Sequence, residues 1–196
     1  MQDITLAHVR SFFSSFYREE LNHHTLIRAG VLVPLFMQNG EMSVVFTQRT
    51  EEVEHHKGQV SFPGGTMDSI DATIIDTALR EAEEEIGLTR SSVEVLGLLN
   101  DFCTPSGFCI TPVVGFLPII PSFMLNKTEV SEIFNVPLSF FLDPRNERVE
   151  ELNRSGKNKR DYFYSYGKYE IWGVTAEILQ IFLHTLNTQI NHKKTL

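Results

Sequence analysis

The sequence predicts a mixed α/β domain in which strands and helices interleave without a regular β-α alternation. Three observations lead there. Two apolar, β-rich runs, 26–37 and 42–48, flank Asn39-Gly40, a strong hairpin signal. A strand-like run ends in Phe62, turns on Pro63-Gly64-Gly65 and passes through a polar loop, 66–71, into a helix over 72–86 that Gly87 stops. A second apolar-faced helix, 174–186, lies near the C-terminus and carries Ile178, Leu179, Ile181, Phe182 and Leu183.

In chain order, the first 20 residues are expected to form a helix capped by Asp3. Ile4, Ala7, Val9, Phe12, Phe13 and Phe16 cluster on one side, facing the domain or a second subunit in a homodimer. After the central helix, 93–102 and 111–117 read as strands, with Thr104-Pro105-Ser106-Gly107 as the turn before the second. Residues 129–134 suggest a short helix or turn before Val136-Pro137-Leu138. The charged stretch 147–160 is expected to be a mobile loop. Tyr162–Tyr166 and Tyr169–Trp172 suggest a hairpin about Gly167-Lys168, and 190–196 a disordered tail. No repeat or low-complexity linker divides the chain, so residues 1–196 are read as one domain.

Composition bounds the function. With 196 residues and 42% apolar content, the chain can bury an ample core. A formal charge of -8 argues against broad binding to nucleic acid or a membrane surface, and an anionic substrate would need metal ions or local cations. The two cysteines, Cys103 and Cys109, have no metal-ligand spacing and read as buried or half-buried thiols. No secretory pattern opens the sequence, no run approaches the roughly 20 apolar residues that span a bilayer, and a reducing cytoplasm is the expected compartment.

The chemistry concentrates at the end of the central helix, Arg80-Glu81-Ala82-Glu83-Glu84-Glu85-Ile86-Gly87-Leu88. Glu81, Glu84 and Glu85 stand at i, i+3 and i+4 and share one helix face, whereas Glu83 points elsewhere. Like charges near the negative end of the helix dipole require a positive partner. Hard cations such as Mg2+ or Mn2+ suit clustered carboxylates and keep water and phosphate oxygens as further ligands. Arg80 stands beside the cluster and can orient a carboxylate.

This stretch resembles the second half of the Nudix box, R-E-hydrophobic-x-E-E-x-G-hydrophobic, in a loop one residue longer than the commonest form. The resemblance implies a mixed central sheet sandwiched between helices, an α/β/α architecture. It also implies metal-dependent hydrolysis of a nucleoside diphosphate linked to another group, with Glu81, Glu84 and Glu85 holding Mg2+ or Mn2+. Glu84 or Glu85 is the expected general base, with Glu129 and Glu132 as outside candidates.

A second resemblance lies upstream. Thr47-Gln48-Arg49-Thr50, then Gly58, then Phe62-Pro63-Gly64-Gly65 is similar to the signature of coenzyme A diphosphatases. Glu54 stands where that signature has arginine, and His55, His56 and Lys57 follow at once. The implied substrate is CoA, acyl-CoA or oxidised CoA, cleaved to 3',5'-ADP and 4'-phosphopantetheine. Arg49, His55, His56 and Lys57 are the candidate cations for the 3'-phosphate. Gly64 and Gly65 are expected to bring backbone close to metal or phosphate, and Phe62 reads as core. Two alternatives stay open: a Nudix hydrolase of ADP-ribose, a dinucleotide or capped RNA, and a non-catalytic Nudix-fold ligand sensor.

Overall fold

The computed structural model describes residues 4–21, 25–51, 57–154 and 157–192. Its elements in order are α1 (Leu6–Phe13), β1 (Ile27–Gln38), β2 (Glu41–Arg49), β3 (Val60–Ser61), β4 (Gly64–Thr66) and α2 (Ile74–Ile86). Then come β5 (Glu94–Leu98), β6 (Phe102–Cys103), β7 (Phe108–Leu117), β8 (Val130–Pro137) and α3 (Leu138–Leu142), followed by β9 (Glu147–Arg154), β10 (Lys157–Tyr166), β11 (Tyr169–Ile171) and α4 (Gly173–His192).

β1 lies at the centre of the main sheet, in the order β3-β2-β1-β7-β5, with β4 also on β1, β6 on β7 and β8 on β2. The sheet is mixed, as expected: β1 and β7 run parallel from Ile27↔Phe108 to Phe36↔Leu117, and the other pairings are antiparallel. Side-chain alternation sorts the residues into two layers. Leu32, Phe36, Val45, Val113 and Leu117 face α2, where they bury Ala78, Leu79, Ala82 and Ile86. Val33, Leu35, Val44, Phe46, Val114 and Phe116 face the other way, onto Val9 and Phe12 of α1 and Leu179, Phe182 and Leu183 of α4. Each large apolar side chain so buried contributes about 1.5–3 kcal/mol. These layers hold the box helix flat against β1.

The Asn39-Gly40 hairpin forms, with φ of 53° and 84° at its two residues, and pairs Gln38 with Glu41. The first helix is shorter than expected and packs on this domain. Thr5 caps it by accepting from the His8 N–H, while Asp3 lies outside the described residues. Ala7 is exposed, and Val9 and Phe12 carry the buried face.

Four other expectations are corrected. Residues 130–137 form strand β8 rather than a helix or turn, because Val136 to Val130 can ladder along β2. The stretch 147–160 is no loop: β9 and β10 pair antiparallel, and with β11 they form a second, three-stranded sheet. Its polar composition suits strands whose one face is wet. α4 continues to His192, so the first three residues of the expected tail are helical. Pro63-Gly64-Gly65 is not a turn either; Gly64–Thr66 is strand β4, paired Gly65 to Gly30 and Gly64 to Val31.

Candidate active site

α2 begins two residues later than its apolar pattern suggests. Thr73 and Asp76 form a reciprocal capping box, and Gly87 ends the helix in the left-handed conformation, φ 68°. The helix C-terminus is tied to the segment beyond β7 by Met124 N–H to Ile86 O, 3.0 Å, and Asn126 N–H to Glu85 O, 2.9 Å. Thr50 at the end of β2 joins the same segment, its hydroxyl donating to Thr128 O at 3.0 Å. These links bring Arg49, Glu85 and Glu129 together from three separate stretches.

The glycines permit the close approach. A Cβ on Gly65 would stand 2.6 Å from the Glu81 carboxyl carbon, and one on Gly64 would meet Gly30 O at 2.5 Å. Only bare backbone fits between β1 and the box carboxylates.

Arg80 organises one side of the cluster. Its Nε donates to Asp71 Oδ1 and its Nη2 to Asp71 Oδ2, both at 3.0 Å. Its Nη1 reaches Glu81 Oε1 at 2.9 Å and Glu84 Oε2 at 3.1 Å, and Nη2 also reaches Thr66 O at 3.1 Å. Arg80 therefore orients two box carboxylates, not one. The Arg80 hydrogen bonds hold the Asp71 carboxyl down at about 2, and Asp71 pins the loop by accepting from the Asp68 N–H. Asp71 was not a candidate site residue in the sequence. Its place nine residues before Arg80 is the signal that could have found it.

Glu85 occupies the other side. Its side chain is only 4% exposed, and Arg49 Nη1 stands 3.5 Å from its Oε1. Burial pushes the Glu85 carboxyl up to about 8; Arg49 pulls it down, while Glu81 and Glu129 push it further up. Burial likewise raises Glu81, against the opposing pull of Arg80. Among buried side-chain oxygens of the described residues, Glu85 Oε2 alone lacks a hydrogen-bond partner. Glu84 is 58% exposed. Thus Glu81 and Glu85 turn inward beside the glycines, whereas Glu84 stands at the rim, and Glu83 is exposed as expected.

Other candidates separate. Glu129 lies within electrostatic reach of Glu81 and Glu85, with its Oε1 bonded to Asn126 Nδ2 at 3.2 Å. Glu132 is engaged elsewhere, in an ion pair of 2.7 Å with Lys168. Phe62 is core, stacked on Phe46 at 4.9 Å. Lys57 is exposed, and Glu54, His55 and His56 lie outside the described residues. A cleft of ≈ 320 Å³ opens beside the box and shares Arg49 and Gly64 with it. Phe108, Ile110, Val174 and Ile178 make much of its wall apolar.

The NUDIX domain family matches residues 26–154, which contain every box residue and Arg49. The chain belongs to the Nudix family. A Photorhabdus laumondii protein named uncharacterized Nudix hydrolase NudL is 41% identical over 162 residues, 83% of this chain and 84% of the relative. An Escherichia coli protein of the same name is 38% identical over 163 residues, 83% of each chain. Among solved structures, a MutT/nudix family protein from Enterococcus faecalis has TM-score 0.53 at 16% identity, covering 95% of this chain and 76% of that one. The RenU Nudix hydrolase of M. smegmatis has TM-score 0.51 at 23% identity, covering 60% and 74%. These likenesses bear out the Nudix fold, and the family acts on diphosphate bonds.

Nudix hydrolases generally use divalent metal ions, and the donor set here fits one. Glu81 and Glu85 turn inward from one helix with Glu84 at their rim, one buried oxygen is left without a partner, and β4 carries no side chain that would fill the space beside Glu81. Among the described residues, no three acidic, His or Cys side chains form a finished metal centre, because Arg80 spans Glu81 and Glu84. Carboxylates that now share a guanidinium must rearrange to share a cation.

Proposed function

We propose that this Nudix chain hydrolyses the diphosphate bond of coenzyme A, or of an acyl or oxidised derivative, to 3',5'-ADP and 4'-phosphopantetheine with Mg2+ or Mn2+. The observation that carries the substrate is the apolar cleft shared with the box through Arg49 and Gly64. A diphosphate at the box would send its second substituent into that cleft. A pantetheine arm, with its gem-dimethyl group and methylenes, suits apolar walls; the polyhydroxylated ribose of ADP-ribose does not. The upstream signature, with Arg49, Gly58, Phe62, Gly64 and Gly65 in their spacing, supports the same choice.

In this reading Glu81, Glu84 and Glu85 hold the cations, which when bound neutralise the diphosphate and activate the attacking water. Arg80 keeps Glu81 and Glu84 aimed, and Asp71 keeps Arg80 in place. Glu85 Oε2 is the buried oxygen free to accept a proton or ligate, and Glu84 at the rim is the other candidate base. The position of Arg49 revises one expectation. Its 3.5 Å approach to Glu85 favours a role for Arg49 at the diphosphate, which leaves Lys57, His55 and His56 as the candidate cations for the 3'-phosphate.

The test is Mg2+-dependent hydrolysis of CoA beside 3'-dephospho-CoA and ADP-ribose, with products identified by mass. Preferential cleavage of CoA to 3',5'-ADP and phosphopantetheine is the expected result. Faster hydrolysis of ADP-ribose would keep the diphosphatase chemistry and remove CoA. No metal-dependent turnover of any of the three would return the chain to the sensor reading.

A further inference from the structure

Cys103 and Cys109 are direct cross-strand partners in the β6–β7 pairing. Just beyond them, the Thr104 N–H donates to Phe108 O at 2.9 Å. That makes 104/108 the hydrogen-bonded position of the ladder and 103/109 the non-hydrogen-bonded one, where side chains come closest. Cα atoms at such positions are about 4.5 Å apart, inside the roughly 4.4–6.8 Å that a disulfide spans. Both thiols are free, and Cys109 Sγ lies 3.9 Å from Leu21 O.

The pair also sits at a meaningful place. The turn it brackets is closed by Gly107 N–H to Thr104 O, 3.1 Å, and Phe108 N–H to Thr104 Oγ1, 3.1 Å. Thr104, Ser106, Phe108 and Ile110 from this hairpin line the apolar cleft beside the box. Trp172, the chain's one tryptophan, lines the same cleft.

We propose that Cys103 and Cys109 form a reversible disulfide that clamps the 104–108 turn and so sets the shape of the cleft wall. The two sulfurs are unequal in access: Cys109 is 4% exposed, and Cys103 is half-buried. Burial and the nearby Asp101 carboxylate push the Cys109 thiol up to about 11, which keeps it protonated and unreactive toward an external oxidant. Reaction therefore begins at Cys103. Its thiolate attacks a small-molecule disulfide RSSR, giving a mixed disulfide and one thiolate RS⁻. The Cys109 thiol then gives up its proton and attacks the Cys103 sulfur, and the second RS⁻ leaves. The balance is RSSR plus two cysteine thiols to one protein disulfide plus two RSH.

The experiment uses the full chain and oxidised glutathione. The expected product is monomeric protein lighter by two hydrogens with no adduct, restored by dithiothreitol. Cys109→Ser should stop at a stable glutathione adduct on Cys103, and Cys103→Ser should remain unmodified. Trp172 emission should change on oxidation of the wild type, reverse on reduction and stay constant in Cys103→Ser. A persistent adduct on the wild type, two unreacted thiols, or an intermolecular disulfide would each overturn the pairing. Disulfide formation with unchanged Trp172 emission would overturn the clamp. None of these readouts depends on which diphosphate the enzyme cleaves.

Discussion

Arg80 meets Asp71 edge to edge, Nε on one carboxylate oxygen and Nη2 on the other, each at 3.0 Å. The Asp71 side chain is only 3% exposed, so this bidentate pair, rather than helix propensity, fixes the guanidinium beside Glu81 and Glu84. Asp71→Asn should destabilise the fold by about 1–3 kcal/mol and reduce turnover by loosening Arg80. The sign follows from the depressed carboxyl. Its stabilisation is present above the unfolded value of about 3.9 and is lost as pH falls toward about 2. Urea midpoints should thus differ between wild type and variant at pH 6 and converge near pH 2; a constant gap would detach the effect from the charge.

Glu85 predicts the opposite slope. Its folded value of about 8 lies above the ordinary carboxyl value, so in the metal-free protein the native state holds a proton that the unfolded chain releases. Stability should fall as pH rises from about 4.3 to about 8. Glu85→Gln should flatten that fall and raise the metal-free melting temperature at pH 8, by roughly 3 °C for each kcal/mol recovered, while removing activity. Calorimetry across pH in a chelator checks both parts.

Glu84 stands at the rim with its side chain 58% exposed. Glu84→Gln should leave the melting temperature within about a degree, a surface change of under roughly 0.5 kcal/mol. Turnover should nonetheless fall by roughly a hundredfold or more. Near-wild-type turnover at saturating Mg2+ would remove Glu84 from the cation site and from the base assignment together.

Arg49 Nη1 stands 3.5 Å from Glu85 Oε1, which in the proposed reading sets its charge at the diphosphate. Arg49→Ala should therefore lower kcat/KM for CoA and for 3'-dephospho-CoA by similar factors, about tenfold or more. A loss confined to CoA would send Arg49 back to the 3'-phosphate.

Gly65→Ala introduces a methyl 2.6 Å from the Glu81 carboxyl group, the movable end of a side chain. The fold should survive while Glu81 swings away. The Mg2+ concentration for half-maximal activity should rise about tenfold or more, measured by metal titration at fixed substrate.

What the sequence revealed here was local. Arg80, Glu81, Glu84, Glu85 and Gly87 lie within one helix and its stop, so spacing alone placed them. Arg49 and Glu85 meet only because β2 and α2 are both tied to the 124–129 segment, a tertiary fact that no short window contains. Val130, Ile133 and Phe134 have spacing that a helix can use, yet β2 offered them a ladder and the strand won. The 147–154 stretch looked like loop because its charges hide the alternation. Its partner β10 supplies Tyr162 and Tyr164 to the core, and Arg148 and Glu151 remain exposed.

The parallel pairing of Ile27 with Phe108 has a consequence for the order of events at synthesis. β1 leaves the ribosome early, but the strand that completes its second edge is made only after the whole box has emerged. Until β7 arrives, α2 rests on an unfinished sheet whose open edge can recruit another chain. The box carboxylates and the strand that secures their platform are thus coupled in time. A nascent chain halted before Phe108 would carry every box residue and have no stable surface on which to array them.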